Sequence, residues 1–197
     1  TTLIAYEMNG EPLPHWNGFP ARLIVPGWTA TYWVKHLTKI AAVTRPFDGF
    51  WMKTAYRVPA GKFPLAERFV SQETAANTPI TDIAVNSLIA NPGDGARAEA
   101  GSKTIISGVA WDGGHGIRSV EVSSSGGVDW AEATLGEDLG KYAFRPWSYE
   151  FVPKAKGKQI ITVRAANNLG QTQTGALIPN PAGYHHNVMQ ILTLDVF

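Results

Sequence analysis

The stretch TIISGVAWDGGHGIRSVEV, residues 104–122, places two short apolar runs on either side of a glycine-rich segment. The first run, Thr104–Trp111, is rich in β-branched and small apolar residues, and the second, Ile117–Val122, alternates apolar with polar residues. Both patterns are typical of β-strands, and DGGHG at 112–116 is typical of a tight turn. The stretch therefore predicts two successive strands joined by a turn.

The same pattern recurs through residues 81–197, where glycine-rich or polar turn signals separate further apolar runs. These runs are Ile83–Ile89, Asp129–Leu135, Tyr142–Val152, Gln159–Ala166 and Asn187–Val196. About seven short strands over about 115 residues are the signature of an antiparallel β-sandwich. We therefore predict a sandwich domain over 81–197, with Trp111, Trp130 and Trp147 as core or edge aromatics.

Residues 1–60 are irregular, rich in aromatics and punctuated by prolines. The runs Arg22–Val25 and Ile40–Val43 predict short strands of a mixed sheet, and Tyr32–Leu37 predicts a helical turn or bend. Such a segment cannot bury a core alone. We therefore interpret residues 1–60 as an incomplete mixed α+β layer that needs further polypeptide to cover its apolar side chains. The polar segment 61–80 is predicted to be a linker or covering loop.

Composition narrows the class of protein. The chain has 197 residues, 44% of them apolar and 17% charged, which favours a packed core over disorder. Its net charge of +1 argues against nucleic-acid binding. No apolar run approaches the length of about 18 residues that a membrane span needs. The absence of cysteine excludes disulfides, thiolate metal ligands and a cysteine nucleophile within this chain.

The first residues, TTLIAYEMNGEPLP, lack the charged, apolar and cleavage regions of a signal peptide. They resemble the interior of a protein, so we expect the chain to be a piece of a longer one. Whether it is a fragment, a cleaved product or a split-gene subunit is left open.

The main candidates for functional residues are basic residues within 1–60. The histidines match no HExxH motif or facial triad, which favours loop or core roles over metal ligation. Arg22 and Lys35, by contrast, are embedded among apolar residues, where an unpaired charge is costly. A bound phosphate would offset that cost, and a salt bridge or a snorkelling side chain is the alternative. Tyr56 is either a core tyrosine or a functional one.

Long motifs carry a resemblance to a known family. AYEMNGEPLP (5–14), NGFPARLIVPG (17–27), TYWVKHLTKI (31–40) and FDGFWMKTAYR (47–57) resemble the second half of the molybdopterin domain of the sulfite oxidase family. WDGG (111–114), GKYAFRPW (140–147) and NPAGY (180–184) resemble its C-terminal dimerisation domain. FWMKTAY is closer to the bacterial sulfite dehydrogenases than to the vertebrate or plant oxidases. The resemblance implies a mainly β chain: an immunoglobulin-like sandwich preceded by part of an α+β molybdopterin-binding domain.

The resemblance also implies a set of cofactor-binding residues. Arg22 matches the arginine that lies along the pterin phosphate. Lys35, with the backbone of Trp33 and Val34, matches a second segment that holds the pterin. Asn17 falls where vertebrate members have a cofactor-contacting histidine, which leaves that contact open. The cofactor implied is molybdenum-molybdopterin.

The catalytic role falls on Tyr56, which matches the family's active-site tyrosine. The metal-ligating cysteine and most substrate arginines are expected outside this chain, so no metal ligand is assigned within it. Ala182 occupies the position of one substrate arginine of the vertebrate members. His185 and His186 are interpreted either as protonatable substitutes for that arginine or as structural and subunit-contact residues.

The implied activity is oxidation of sulfite to sulfate, with electrons passed singly to a c-type cytochrome. The resemblance further implies a periplasmic homodimer formed through the sandwich, without nucleic acid or a membrane span. Two alternatives stay open. One is a sulfane-sulfur dehydrogenase or another molybdopterin oxidoreductase of the family, and the other is a non-catalytic β-sandwich assembly module.

Overall fold

The computed structural model describes residues 2–60, 77–178 and 182–197. Proximity of Cα atoms groups the chain into two compact units. The first comprises Thr1–Ile83 and Ile178–His186, and the second comprises Ala84–Leu177 and Asn187–Phe197. The predicted linker or covering loop at 61–80 lies outside the described residues over 61–76, where it stays a prediction. Across the described ranges, no helix is long and apolar enough to cross a membrane.

The first unit is built from short elements. Its strands are β1 (Leu3–Ala5), β2 (Glu7–Met8), β3 (Glu11–Pro12), β4 (Arg22–Ile24), β5 (Arg57–Pro59) and β6 (Asn77–Pro79). Its helical turns are the 3-10 helices His15–Asn17 and Ala30–Tyr32 and the π-helix Trp51–Ala55. The strands pair antiparallel in twos, β1 with β4, β2 with β3 and β5 with β6.

Sequence patterns predicted part of this unit. The apolar run at Arg22–Val25 is confirmed as β4, and the turn predicted at Tyr32–Leu37 is a 3-10 helix ending at Tyr32 and then a bend. The strand predicted at Ile40–Val43 is wrong. That run is irregular and exposed, and a run of four apolar residues does not determine secondary structure without a partner strand. The end of the predicted linker, Asn77–Pro79, forms β6.

The second unit is the predicted antiparallel sandwich. Its strands are β7 (Asn86–Asn91), β8 (Ala96–Ala98), β9 (Thr104–Trp111), β10 (Ile117–Ser123), β11 (Ala131–Glu132), β12 (Thr134–Leu135), β13 (Arg145–Phe151), β14 (Gly157–Asn167) and β15 (Gln190–Val196). One sheet has the order β12-β13-β9-β7 and the other β11-β10-β14-β15-β8. The pairing is antiparallel except between β15 and β8, which are parallel. The fold-class prediction of a mainly β chain with an antiparallel sandwich is confirmed.

Alternating side chains from the two sheets form the core. Ile106 of β9 and Trp147 of β13 face inward from one sheet, and Ile161 of β14 and Leu192 of β15 face inward from the other. Each is at most 2% exposed. Because successive residues of a strand point to opposite faces, every second residue of these strands lies in the core. Trp147 is confirmed as a core aromatic.

The predicted tight turn at DGGHG is confirmed, and the buried Asp112 side chain holds it. The Asp112 carboxylate accepts hydrogen bonds from the backbone N–H groups of Gly114, His115 and Gly116 at 3.0–3.2 Å. It also accepts one from Asn167 Nδ2 at 3.1 Å. These donors compensate the burial of the charge. The carboxylate therefore acts as an anchor for the turn between β9 and β10.

The sandwich depends on a close approach at Gly108, which generates a stability prediction. A Cβ added there would lie 1.8 Å from the carbonyl oxygen of Leu88 and 2.8 Å from the Trp147 ring. We expect Gly108→Ala to destabilise the full-length protein by about 3 kcal/mol or more, because backbone must move. Gly93→Ala is the matched control, since no heavy atom lies within 4 Å of its added Cβ. Equal urea midpoints for the two variants would contradict the close approach.

Candidate functional site

Two segments of the first unit run side by side and bring the predicted cofactor-binding residues together. The N–H of Leu23 donates to the carbonyl of Val34 at 2.9 Å, and the N–H of Leu37 donates to that of Ala21 at 2.9 Å. These bonds align β4 and the residues before it with residues 34–37. This pairing places the candidate residues of the two segments side by side.

Gly18 permits this close approach. It ends the 3-10 helix His15–Asn17 in a left-handed conformation, with φ +112°, which disfavours any side chain. A Cβ there would lie 3.1 Å from the Cα of Lys35. The carbonyl of Gly18 also accepts a hydrogen bond from the N–H of His36 at 3.3 Å. A larger residue at this position would push the lysine-bearing segment away.

The two cations converge on the same helical turn. Lys35 Nζ donates to the carbonyl of Trp16 at 2.6 Å, and Arg22 Nη1 donates to the carbonyl of Asn17 at 3.4 Å. Within the described ranges, neither cation forms an ion pair with a carboxylate. Arg22 Nε is buried without a hydrogen-bond partner in that part of the chain. We call Gly18, Arg22, Lys35 and the turn His15–Asn17 the cation cradle.

Trp33 and Val34 complete the surroundings of the cradle. Trp33 Nε1 donates to the carbonyl of Val25 at 2.8 Å, which fixes the indole. The guanidinium carbon of Arg22 lies 5.5 Å from the centroid of the Trp33 ring, within cation–π range. Val34 is 48% exposed, and its carbonyl oxygen accepts the hydrogen bond from the N–H of Leu23 in β4. The cofactor roles of Asn17, Arg22, Trp33, Val34 and Lys35 stay predictions, but the structure brings all five into one neighbourhood.

The donor set of the cradle fits an anion. A guanidinium and an ammonium group, held only by neutral carbonyl oxygens among the described residues, leave an unbalanced positive charge. Charge-assisted bonds to a phosphate would satisfy that charge and the buried Arg22 Nε. The salt bridge considered from the sequence does not form within the described chain. Arg22 is half-buried but Lys35 is exposed, so the snorkelling side chain stays an open alternative for Lys35.

Tyr56 lies in a second, aromatic cluster. It follows the π-helix, and its N–H donates to the carbonyl of Trp51 at 2.8 Å, the i→i+5 bond of a π-turn. Its ring stacks on Trp51 with centroids 5.0 Å apart and an interplanar angle of 23°. The ring of Tyr184 meets it edge-on at 5.7 Å and 67°. Sequence reasoning identified Tyr56 but missed both aromatic neighbours, because the contact with Trp51 depends on the π-turn and the contact with Tyr184 on tertiary structure.

Arg57 anchors the peptide that carries Tyr56. Its Nη1 donates to the carbonyl of Met52 at 3.0 Å and its Nη2 to the carbonyl of Asn77 at 3.1 Å. Its Nε donates to the Asn77 side chain as well. The π-helix and β6 are therefore tied through one guanidinium, and the carbonyl of Tyr56 accepts from the N–H of Ile80 at 2.9 Å. The backbone around Tyr56 is fixed on both sides.

The remaining candidates lie in the segment Ile178–His186, which belongs to the first unit. Ala182 and His186 are exposed and His185 is half-buried. The N–H of His186 donates to the carbonyl of Gly183 at 3.3 Å, which closes a turn. The two interpretations of the histidine pair stay open.

Comparisons with known proteins agree with this architecture. Residues 1–51 match the oxidoreductase molybdopterin binding domain, and residues 77–192 match the Mo-co oxidoreductase dimerisation domain. The two matches define a chain that joins part of a molybdopterin-binding domain to a Mo-co oxidoreductase dimerisation domain. The chain is 33% identical to the mitochondrial sulfite oxidase of Rattus norvegicus over 183 residues, which cover 90% of this chain and 33% of that protein. The chain belongs to the sulfite oxidase family, as the sequence motifs predicted.

Two further matches extend the comparison, one in sequence and one in fold. The chain is 32% identical to the inducible nitrate reductase [NADH] 2 of Glycine max, covering 94% of this chain and 22% of that protein. The sulfane dehydrogenase SoxCD of Paracoccus pantotrophus shares the fold, with a TM-score of 0.76 and 23% identity over 98% of this chain and 48% of that one. The chain thus spans about a third of the length of the first curated relatives it matches.

Tyr32 provides a pH-dependent test of the packing beside the cradle. Its Oη donates to the carbonyl of Ile80 at 2.6 Å, and burial raises the pKa of Tyr32 above its ordinary value. Below pH about 10 the Tyr32 phenol is protonated in both the folded and the unfolded protein, so its full contribution to stability is present. As pH rises further, the unfolded chain loses the proton first, and the free energy of unfolding falls.

We expect Tyr32→Phe to lower the free energy of unfolding by about 1 kcal/mol at pH 7 and to weaken the decline between pH 9 and about 11. Urea unfolding of the full-length protein at several pH values measures both. Tyr142→Phe, at a residue 44% exposed, is the control that removes a surface hydroxyl. A Tyr32→Phe variant with the wild-type alkaline decline would contradict the assignment.

Proposed function

We propose that this chain is part of a molybdenum-dependent sulfite dehydrogenase, which oxidises sulfite to sulfate. The observation that carries the proposal is the cation cradle, in which Arg22 and Lys35 converge without a carboxylate partner in the described chain. The 33% identity to a sulfite oxidase supports sulfite as the substrate. The similar identity to a nitrate reductase makes nitrate the substrate to compare with it.

The pterin phosphate is the anion that we assign to the cradle. Arg22 offers a planar fork of donors, including the buried Nε, and Lys35 offers an ammonium group at the same helical turn. Gly18 lets the Lys35 backbone pack against the turn whose carbonyl groups both cations contact. When bound, the molybdenum cofactor supplies the two-electron oxidation of the substrate. The molybdenum-ligating cysteine is expected outside this chain.

Tyr56 is the residue of this chain to which we assign a role in turnover. A phenolic hydroxyl both donates and accepts a hydrogen bond, and Tyr56 Oη would donate where negative charge develops during the reaction. Its ring is packed between Trp51 and Tyr184, so the hydroxyl is presented by a fixed support. Fixed donors are effective because they need no reorganisation during the reaction.

Partners and location follow from the same proposal. The electron acceptor is a c-type cytochrome and the location is the periplasm, both supported by the resemblance of FWMKTAY to bacterial sulfite dehydrogenases. The match of residues 77–192 to a dimerisation domain supports a homodimer through the sandwich.

We expect Arg22→Ala and Lys35→Ala in the full-length protein to weaken cofactor binding about tenfold or more. Each change removes charge-assisted hydrogen bonds to the phosphate, and such bonds contribute about 1.5–3 kcal/mol. Molybdenum content and pterin fluorescence of the purified protein measure occupancy without an activity assay. Lys158→Ala is the matched control, since that exposed lysine pairs with Asp195 in the sandwich. Wild-type occupancy in both cradle variants would exclude the phosphate role.

We expect Tyr56→Phe to lower sulfite turnover by about 10- to 100-fold while the cofactor stays bound, since one hydrogen bond to developing charge is lost. Steady-state kinetics with sulfite and oxidised cytochrome c, together with molybdenum content, measure the two effects separately. Parallel assays with nitrate, using a reduced electron donor, and with a sulfane-sulfur compound test the competing substrates. Wild-type turnover by Tyr56→Phe would refute the role, and a preference for another substrate would refute the sulfite assignment.

A further inference from the structure

The ring of Tyr56 contacts two aromatic side chains, one close to it in the sequence and one distant. Trp51, five residues before it, covers one face at 5.0 Å and 23°. Tyr184 meets the ring edge-on at 5.7 Å and 67°. Offset-stacked and edge-to-face arrangements are the favourable geometries for aromatic pairs. The two contacts together restrict how the phenol can rotate.

The turn that carries Tyr184 has an unusual backbone. It is closed by the hydrogen bond from the N–H of His186 to the carbonyl of Gly183, so Tyr184 and His185 are its two central residues. Gly183 has φ +67° and His185 has φ +56°, both in the left-handed region. Glycine adopts that region readily, and histidine is among the few other residue types that are enriched in it. Residues in sparsely populated backbone regions cluster at functional sites, and this one immediately follows the residue that contacts Tyr56.

We propose that Tyr184 is a positioning residue for Tyr56: its ring holds the Tyr56 phenol in the orientation that turnover requires. The proposal rests on the function assigned to Tyr56 above. Trp51 belongs to the π-helix that immediately precedes Tyr56, so its contact relates the ring only to its own local segment. Tyr184 comes from the segment Ile178–His186 and supplies an independent constraint.

The expected effect of removing Tyr184 on kcat follows from the orientation of the Tyr56 ring. A ring that loses its edge contact can rotate about its side-chain bonds, and small displacements of a catalytic group reduce turnover strongly. We expect Tyr184→Ala to lower kcat about fivefold or more, with little change in the KM for sulfite. Tyr184→Phe keeps the ring and should retain kcat within about twofold. Tyr142→Ala, which removes a surface tyrosine of the sandwich, should leave kcat unchanged.

A double-mutant cycle in the full-length holoenzyme separates positioning from general damage. If Tyr184 acts through the Tyr56 hydroxyl, Tyr184→Ala adds no further loss of kcat to Tyr56→Phe, because the group it positions is already gone. Multiplied losses in the double variant would overturn the proposal. A loss in Tyr184→Phe equal to that in Tyr184→Ala would overturn it too, since the ring would then be irrelevant.

A spectroscopic measurement tests the proposal without activity. With 3-fluorotyrosine placed at Tyr56, the 19F resonance of the full-length protein should be narrow in the wild type and in Tyr184→Phe. In Tyr184→Ala it should shift and broaden or split, since the ring samples more than one orientation. An unchanged resonance would overturn the positioning role. If the resonance changes while Tyr56→Phe keeps full turnover, the proposed function fails and the positioning contact stands.

Discussion

The fully buried amide of Gln173 is the interaction on which the sandwich most depends. Its Oε1 accepts hydrogen bonds from Ser87 Oγ at 2.6 Å and from the N–H of Ala165 at 2.9 Å. Its Nε2 donates to Asn86 Oδ1 at 2.9 Å and to the carbonyl of Val188 at 3.3 Å. All four hydrogen-bonding positions of the amide are thus used. Because β7 and β14 belong to opposite sheets, this one side chain cross-links them.

Hydrogen bonds next to Gln173 join the two stretches of the sandwich that flank residues 175–186. The N–H of Thr174, next to Gln173, donates to the carbonyl of Asn187 at 3.2 Å, and the N–H of Met189 donates back to Thr174 at 2.9 Å. Asn187 Nδ2 then bonds the carbonyl of Val85 at 3.2 Å. These bonds hold together the two ends of the stretch 175–186. A buried polar network of this kind specifies one arrangement, since leaving any member unpaired is costly.

The sequence predicted the sandwich well where local pattern and burial agree. Thr104–Trp111 forms a strand over the predicted residues because its alternate side chains are core residues. The single run Asp129–Leu135 instead divides into β11 and β12, since the chain crosses between sheets at the buried Ala133. Ala96–Ala98 was missed because small residues give no apolar signal, and its strand exists only through parallel pairing with β15.

The candidate site shows the same division between local and tertiary information. Arg22 and Lys35 were recognisable because cations within apolar runs demand an explanation. Their convergence on His15–Asn17 could not be predicted, because it requires the left-handed Gly18 and a backbone pairing that no local pattern encodes. The contact between Tyr56 and Tyr184 likewise joins residues far apart in the sequence.

The exposed apolar surface of the first unit explains why its residues resemble an incomplete layer. Leu3 and Ile4 are successive residues of β1, so their side chains point to opposite faces, yet they are 45% and 52% exposed. A two-stranded sheet with both faces apolar and exposed is not stable alone. Large exposed apolar patches mark surfaces that other polypeptide covers. The chain spans about a third of its curated relatives' length, and under the proposed function the rest of a cofactor domain would cover this surface. The cation cradle adjoins β4 of that same sheet, so an exposed apolar surface lies beside the residues that we assign to the cofactor.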